Sequence, residues 1–323
     1  MHDHKQVAKL SLFFFFLLFL AGRIGLFLHE FAGHALAWRL MGGRLTGFSL
    51  FIFGGGRVQF GQMPGLPDIS VTQQLAVQLS GIAVELAVGI ILTILAIILS
   101  LSRAVRALFV SVAGVLSVHA LFYLTVGAYY GSGDGHLLFT LLQGGSRQFF
   151  LLLTFGMTII AAYVISYQFS PMVKSWIKEG VSEKKTSTII LCGCMAVLLH
   201  AMLTFGERIV VNDTVYAGIK MSENDRLKEA ELSKFIADYV EKNGTRPDRE
   251  QLRDLEKALK KKYWQFPLDI FLGMGIMAAS LFGYLNSKRN EYQESNPISW
   301  KDIYYLGSIS MLVAGLILVL NQI

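Results

Sequence analysis

Leu28-His29-Glu30-Phe31-Ala32-Gly33-His34-Ala35-Leu36-Ala37 sets two histidines and a glutamate inside an apolar segment that runs from about Lys9 to Met41. A run of that length exceeds the roughly 20 residues needed to cross a hydrocarbon core. It therefore reads as a membrane span. Ionisable side chains are costly in such a span and by default mark function. The same segment thus sets the fold class and supplies the first candidate for chemistry.

Composition extends this reading to the whole chain. Of 323 residues, 53% are hydrophobic and only 16% charged, and the mean hydropathy is +0.50, a shift from a soluble average towards a membrane protein. Further apolar runs cover about Gln73 to Leu101, Val105 to Tyr130, Phe149 to Phe169, Thr188 to Phe205, Leu268 to Leu285 and Tyr304 to Leu320. The expected fold is an all-α polytopic membrane protein with about 6–8 transmembrane helices. The net charge of +6 does not indicate nucleic acid, because Lys and Arg lie mostly in loops that flank apolar runs, where they set topology. Counted by side they nearly cancel, so orientation stays open. Cys192 and Cys194 fall in an apolar run and read as small thiols rather than as a disulfide. No small-residue cleavage pattern precedes His29, so no removable leader is expected.

Between the spans four stretches stand out. Arg44 to Phe60, rich in β-branched and aromatic residues around Gly54-Gly55-Gly56, predicts a short membrane-associated β-hairpin. Backbone of that kind at membrane depth must be paired or line a wet cavity. Pro64 to Asp68 reads as a loop, and Pro171 to Lys185, basic with Trp176, as a membrane-surface connection. Residues 206–264 form the one sizeable extramembrane insert, with a short strand or two expected over Ile209 to Ile219 and helices from Ser222 and after Arg246-Pro247-Asp248-Arg249. The chain thereby divides into a core over 1–205, this small, mainly helical insert, taken as a gating or partner-binding accessory, and a C-terminal transmembrane pair over 265–323. Inside the N-terminal segment, Gly22-Arg23-Ile24-Gly25 permits either one long tilted helix or a break, and Arg23 needs water or a partner.

The histidine motif poses a geometric problem. A zinc protease helix usually carries two histidines four residues apart on one face, with a glutamate beside the first as general base. Here three residues separate Glu30 from His34. At about 100° per residue, His29 and His34 diverge by about 140° on a regular helix, whereas Glu30 and His34 diverge by only about 40°. Two arrangements resolve this: a π-bulge absorbs the extra residue, or Glu30 itself becomes a ligand. Two other carboxylates need explaining. Glu85 sits in an apolar run and requires an interior partner, and Asp134, in Gly131-Ser132-Gly133-Asp134-Gly135-His136, is presented on irregular backbone after a span. His119 and His200 read as interhelical hydrogen-bonding residues.

Gly33-His34-Ala35-Leu36-Ala37-Trp38-Arg39-Leu40-Met41-Gly42-Gly43-Arg44 resembles the end of the motif helix in the site-2 protease family of intramembrane zinc metalloproteases. Ser80-Gly81-Ile82-Ala83-Val84-Glu85 resembles the small-residue segment of that family, and Gly133-Asp134-Gly135-His136-Leu137-Leu138-Phe139 its later Asp-Gly motif. The likeness covers roughly residues 10–145 and departs from the family pattern in the extra motif residue, in Ile82 for proline, in Glu85 for asparagine and in lacking Asn-Pro before Asp134. It implies His29, His34 and Asp134 as zinc ligands and Glu30 as base, with His136 and Glu85 as candidates to hold the ligands in place. It further implies hydrolysis of peptide bonds in or near transmembrane segments of membrane-protein substrates; the expected location is a bacterial cytoplasmic membrane, crossed several times. The extra residue equally fits a non-catalytic descendant that binds transmembrane partners. A transporter using these groups as an ion path is a third reading, against which the absence of repeats counts.

Overall fold

The structure, a computed structural model, describes residues 4–61, 69–176, 185–211, 221–287 and 298–322. Its N-terminal apolar segment is one continuous helix: α1 (His4–Phe27), a π-helical stretch Leu28–Ala35 and α2 (Leu36–Leu40). Gly22 and Gly25 do not break it. Antiparallel strands β1 (Arg44–Leu50) and β2 (Gly56–Gly61) follow, pairing from Arg44↔Gly61 to Leu50↔Gly56 with an irregularity between Leu45 and Gly47. Then come α3 (Val71–Ile98), α4 (Arg103–Tyr130), a short 3-10 turn Gly133–Gly135, α5 (His136–Leu141), α6 (Gly144–Ser175), α7 (Lys185–Val211), α8 (Glu223–Asn243), α9 (Arg249–Lys262), α10 (Leu268–Asn286) and α11 (Trp300–Leu320). Among the described residues, seven helices are long and apolar enough to cross a membrane, one for each expected span. The chain is a multi-pass all-α membrane protein with a β-hairpin.

α1 is the central post. Leu10, Phe13, Leu17 and Leu20 are almost fully buried against residues of α6, α7, α10 and α11, among them Cys192, Tyr284 and Leu306. Both cysteines are free thiols, Cys192 buried and Cys194 exposed. Farther along, α3 packs on the π-helical stretch and brings Glu85 to His29, and α4 packs on α1 and α3.

One expectation fails. Helix α6 does not stop before Pro171; it continues to Ser175. Trp176 beyond it is 2% exposed, its ring 5.1 Å from that of Phe13, so it anchors the helix end in the core rather than at a membrane surface. Lys174 adds bonds to the Ser287 carbonyl and hydroxyl at 2.7 and 2.8 Å. These tertiary contacts offset the one helical hydrogen bond that proline removes. Of the stretch Ile209 to Ile219, where a short strand or two is expected, Ile209 to Val211 are helical as the end of α7; the remainder of that stretch and the Pro64–Asp68 loop lie outside the described residues. In the insert, Ser222 and Asp248 cap α8 and α9.

The turn of the hairpin is held by side chains from three membrane helices. Arg23 on α1, 7% exposed, donates to the carbonyls of Phe51, Phe53 and Gly54. The Glu207 carboxylate on α7 accepts from the Ile52, Phe53 and Gly54 N–H groups at 2.5, 2.7 and 2.8 Å. Thr204 donates to the Phe53 carbonyl at 3.0 Å. The Asn321 amide pairs with both backbone groups of Leu50. Irregular backbone in a lipid-surrounded protein must have its polar groups satisfied internally; here it does.

Candidate metal centre

The π-helix solves the spacing problem. Its i→i+5 hydrogen bonds bring residues five apart onto one face, so His29 and His34 converge where an α-helix would have separated them. Their Nε2 atoms lie 3.0 Å apart. The wider backbone is supported by close packing: a Cβ on Gly33 would meet the Gly81 Cα at 2.4 Å, and one on Gly81 would meet His29 Cε1 and His34 Nε2 at 2.8 Å each. Gly33 and Gly81 let α3 press against the π-helix and leave room for both rings.

Asp134 arrives from the other side. Gly131 (φ 67°) ends α4 and Gly133 (φ 51°) turns the chain, left-handed conformations that glycine adopts without a Cβ penalty. The turn puts Asp134 Oδ2 at 2.8 Å from His29 Nε2 and 3.2 Å from His34 Nε2. Burial opposes charge on Asp134, but the bonds to His29 and His34 outweigh it and hold the carboxyl below the usual carboxylate range. Residues separated by 100 positions thus present three ligand atoms to one point.

Those three atoms fit a metal ion better than they fit one another. The His34 Nδ1–H donates to the Val77 carbonyl at 2.7 Å, which leaves a lone pair on its Nε2. His29 Nδ1 faces Glu85 Oε1 at 3.5 Å, longer than a hydrogen bond. Two imidazole nitrogens and a carboxylate oxygen at mutual distances of 2.8, 3.0 and 3.2 Å need a shared proton or cation between them. A tetrahedral ion with bonds of ~2.0–2.1 Å separates its ligand atoms by ~3.3 Å, close to what is observed. The donor set also suits zinc, and a carbonyl and a carboxylate behind the two rings are the groups that orient metal-binding histidines.

No protein-family model, characterised protein or solved structure matches the chain. The reading of the site therefore stands on its own geometry.

The remaining candidates fall into place unevenly. Glu30, 8% exposed, lines the same cavity as His29, His34 and Asp134, a space of about 560 Å³ bounded on one side by Gly54 to Val58 and Phe60 of the hairpin. Glu85, 2% exposed, stands behind His29, its Oε1 3.5 Å from Nδ1. His136 does not hold a ligand. It bonds the Gly131 carbonyl at 3.0 Å and lies 3.3 Å from Arg226 of α8, because the helical start of α5 turns its ring away from the cavity and towards the insert. His119 is interhelical, with Nδ1 3.4 Å from Glu85 Oε2, but it also lines the cavity together with Tyr123 and His200. Sequence reasoning passed over Tyr123 and the cavity role of His119; their spacing of four residues on one helix face was the available signal.

Proposed function

We propose that the chain is an intramembrane zinc endopeptidase that hydrolyses a peptide bond in or near a transmembrane segment of another membrane protein, in the cytoplasmic membrane of a bacterium. The observation that carries this reading is the meeting of His29, His34 and Asp134 at one point, with Glu30 on the same cavity wall. The resemblance to the site-2 protease family supports it, since that likeness assigns the same residues the same roles. The C-terminal spans and the insert have no part in the assignment.

His29, His34 and Asp134 would hold the ion, with Glu85 and the Val77 carbonyl orienting the two rings. When bound, zinc supplies Lewis acidity, polarising a carbonyl and making water acidic near neutral pH. Glu30 receives the proton of the water that adds to the scissile carbonyl and delivers it to the amine as the C–N bond breaks. A transmembrane helix has its carbonyls engaged, so it must unwind before that addition. The cavity-facing part of β2 offers extended backbone beside which an unwound segment can lie, and the Arg23–Glu207 clamp keeps that strand in register with the metal centre.

Metal analysis of the purified protein, together with cleavage of a model transmembrane substrate by the wild type and by Glu30→Gln, tests the proposal. One zinc per chain, cleavage by the wild type and retained zinc with lost cleavage in Glu30→Gln are the expected results. Stoichiometric zinc without cleavage in either protein would favour a non-catalytic binding protein, and absence of metal binding would sink the peptidase. The binding alternative drew on the extra motif residue, which the π-helix absorbs.

A further inference from the structure

Helix α9 carries its charge unevenly. Leu252, Leu255 and Leu259 share one face of it, and Leu259 is buried. At about 100° per residue, Lys257, Lys260 and Lys261 fall together on the opposite face, and all three are exposed. Nearer the start of the helix the cations have counter-ions: Arg253 lies 3.7 Å from Glu250, and Lys257 lies 3.8 Å from Asp254. Lys262 is taken by Glu231 of α8 at 2.8 Å. Lys260 and Lys261, by contrast, have no ion-pair or hydrogen-bond partner among the described residues.

The spans fix where this end of α9 stands. The hydroxyl of Tyr130, the last residue of α4, lies 2.8 Å from the Asp269 carboxylate and 3.1 Å from the Phe266 carbonyl. Arg147, in the first turn of α6, donates to the Tyr129 carbonyl at 2.6 Å. Three membrane-crossing helices therefore end or begin at one level: α4 at Tyr130, α6 at Gly144 and α10 at Leu268. Trp264 and Phe266, 67% and 41% exposed, lie in the short link from α9 to α10 at that level. Exposed tryptophan beside a span belongs at the boundary between hydrocarbon and headgroups. Lys260 and Lys261 precede Trp264 by about one helical turn, and a lysine stem is long enough to carry its charge on to a headgroup.

We infer that the end of α9, through Lys260 and Lys261 beside Trp264, binds the phosphate of an anionic phospholipid in the surrounding bilayer. The carbonyls at a helix C-terminus favour a nearby cation, but Lys262 already stands there. Two further cations without counter-ions, next to an exposed tryptophan at membrane level, complement a headgroup phosphate above and apolar chains below. An acidic protein segment would match the lysines and leave Trp264 unexplained. The inference rests on the membrane spans alone and is independent of the peptidase reading.

The test uses the full chain in nanodiscs of equal parts phosphatidylcholine and phosphatidylglycerol, with bromine on the acyl chains of one lipid or the other. Bromine quenches nearby tryptophan, and the Trp264 signal is the emission of the wild type less that of Trp264→Phe. Quenching should be stronger when phosphatidylglycerol carries the bromine. The preference should be at least about fivefold, the effect of one lysine near an anionic surface. It should fall to near parity in Lys260→Gln/Lys261→Gln and persist in Lys260→Arg/Lys261→Arg, which keeps both charges. Equal quenching by the two lipids in the wild type would overturn the inference and assign the lysines to an acidic protein partner. A preference that survives in the glutamine variant would also overturn it, as would a Trp264 signal that neither lipid quenches.

Discussion

Two polar clusters border one cavity, and they are built on contrary rules. In the clamp at the hairpin turn, donors meet acceptors: Arg23 gives to three carbonyls, and Glu207 takes from three amides. At the candidate metal centre, two imidazole nitrogens and a carboxylate oxygen crowd within 2.8–3.2 Å of one another, where they share a proton or could hold a cation. The first cluster pairs the backbone groups of the turn within the protein and so reads as structure. The second brings together three atoms that could hold a metal ion, and so is the candidate binding site. Ionisable groups within apolar surroundings occur in both, so their presence alone does not distinguish the clusters; the pairing of donors with acceptors does.

Substitutions should therefore act in opposite ways on the two clusters. Asp134→Ala is expected to abolish stoichiometric zinc binding, measured by elemental analysis, while leaving the fold intact, because it removes one of three crowded acceptors. Glu207→Ala should do the reverse. It strands three backbone N–H groups at about 1–3 kcal/mol each, so thermal unfolding should fall steeply with zinc stoichiometry retained; unchanged stability would refute the clamp. Zinc added to metal-stripped wild type at about a hundredfold excess over its Kd should raise stability by about 2.7 kcal/mol, and should have no such effect on Asp134→Ala.

Smaller effects sharpen the same contrast. Glu85→Gln should weaken metal affinity by about 10–100-fold, as loss of a group that orients a ligand does, with titration against a competing chelator as the measurement. Gly81→Ala should weaken it too, because the added methyl would press on both imidazoles, whereas Gly22→Ala, with nothing within 4 Å of the new carbon, should leave zinc affinity unchanged. The smallest effect belongs to the insert. Lys262 and Tyr263 hold the Glu231 carboxyl below its ordinary value, so their contact contributes fully above the usual carboxylate range and is lost as pH falls through the lowered value. Amide exchange near the C-terminal end of α9 should quicken slightly on acidification, and a rate independent of pH after correction for intrinsic exchange would contradict the contact.

Much of this architecture was legible in the sequence, because length and apolarity report a span directly. The seven spans and the hairpin are one-dimensional signals, read from runs and glycine boundaries. Legibility failed where a distant partner overrode a local rule. Pro171 says stop, but Trp176 finds the core around Phe13 and the helix goes on. His136 was adjacent to a candidate ligand in sequence and turns away from it in space, while His119 was distant and faces the cavity.

The sequence by itself determined the solvent and the candidate groups: which segments are apolar enough for a bilayer, and that His29, Glu30, His34 and Glu85 sit among them. It left two arrangements of His29 to His34 open, because an α-helix and a π-helix over those residues differ by little that is local. Tertiary structure decided between them. The π-helix is fixed by α3 pressing Gly81 against Gly33, by Val77 accepting from His34, and by Asp134 arriving on a turn that only glycines at 131 and 133 make easy. Those contacts span up to 100 positions, and no pattern within a single segment encodes them.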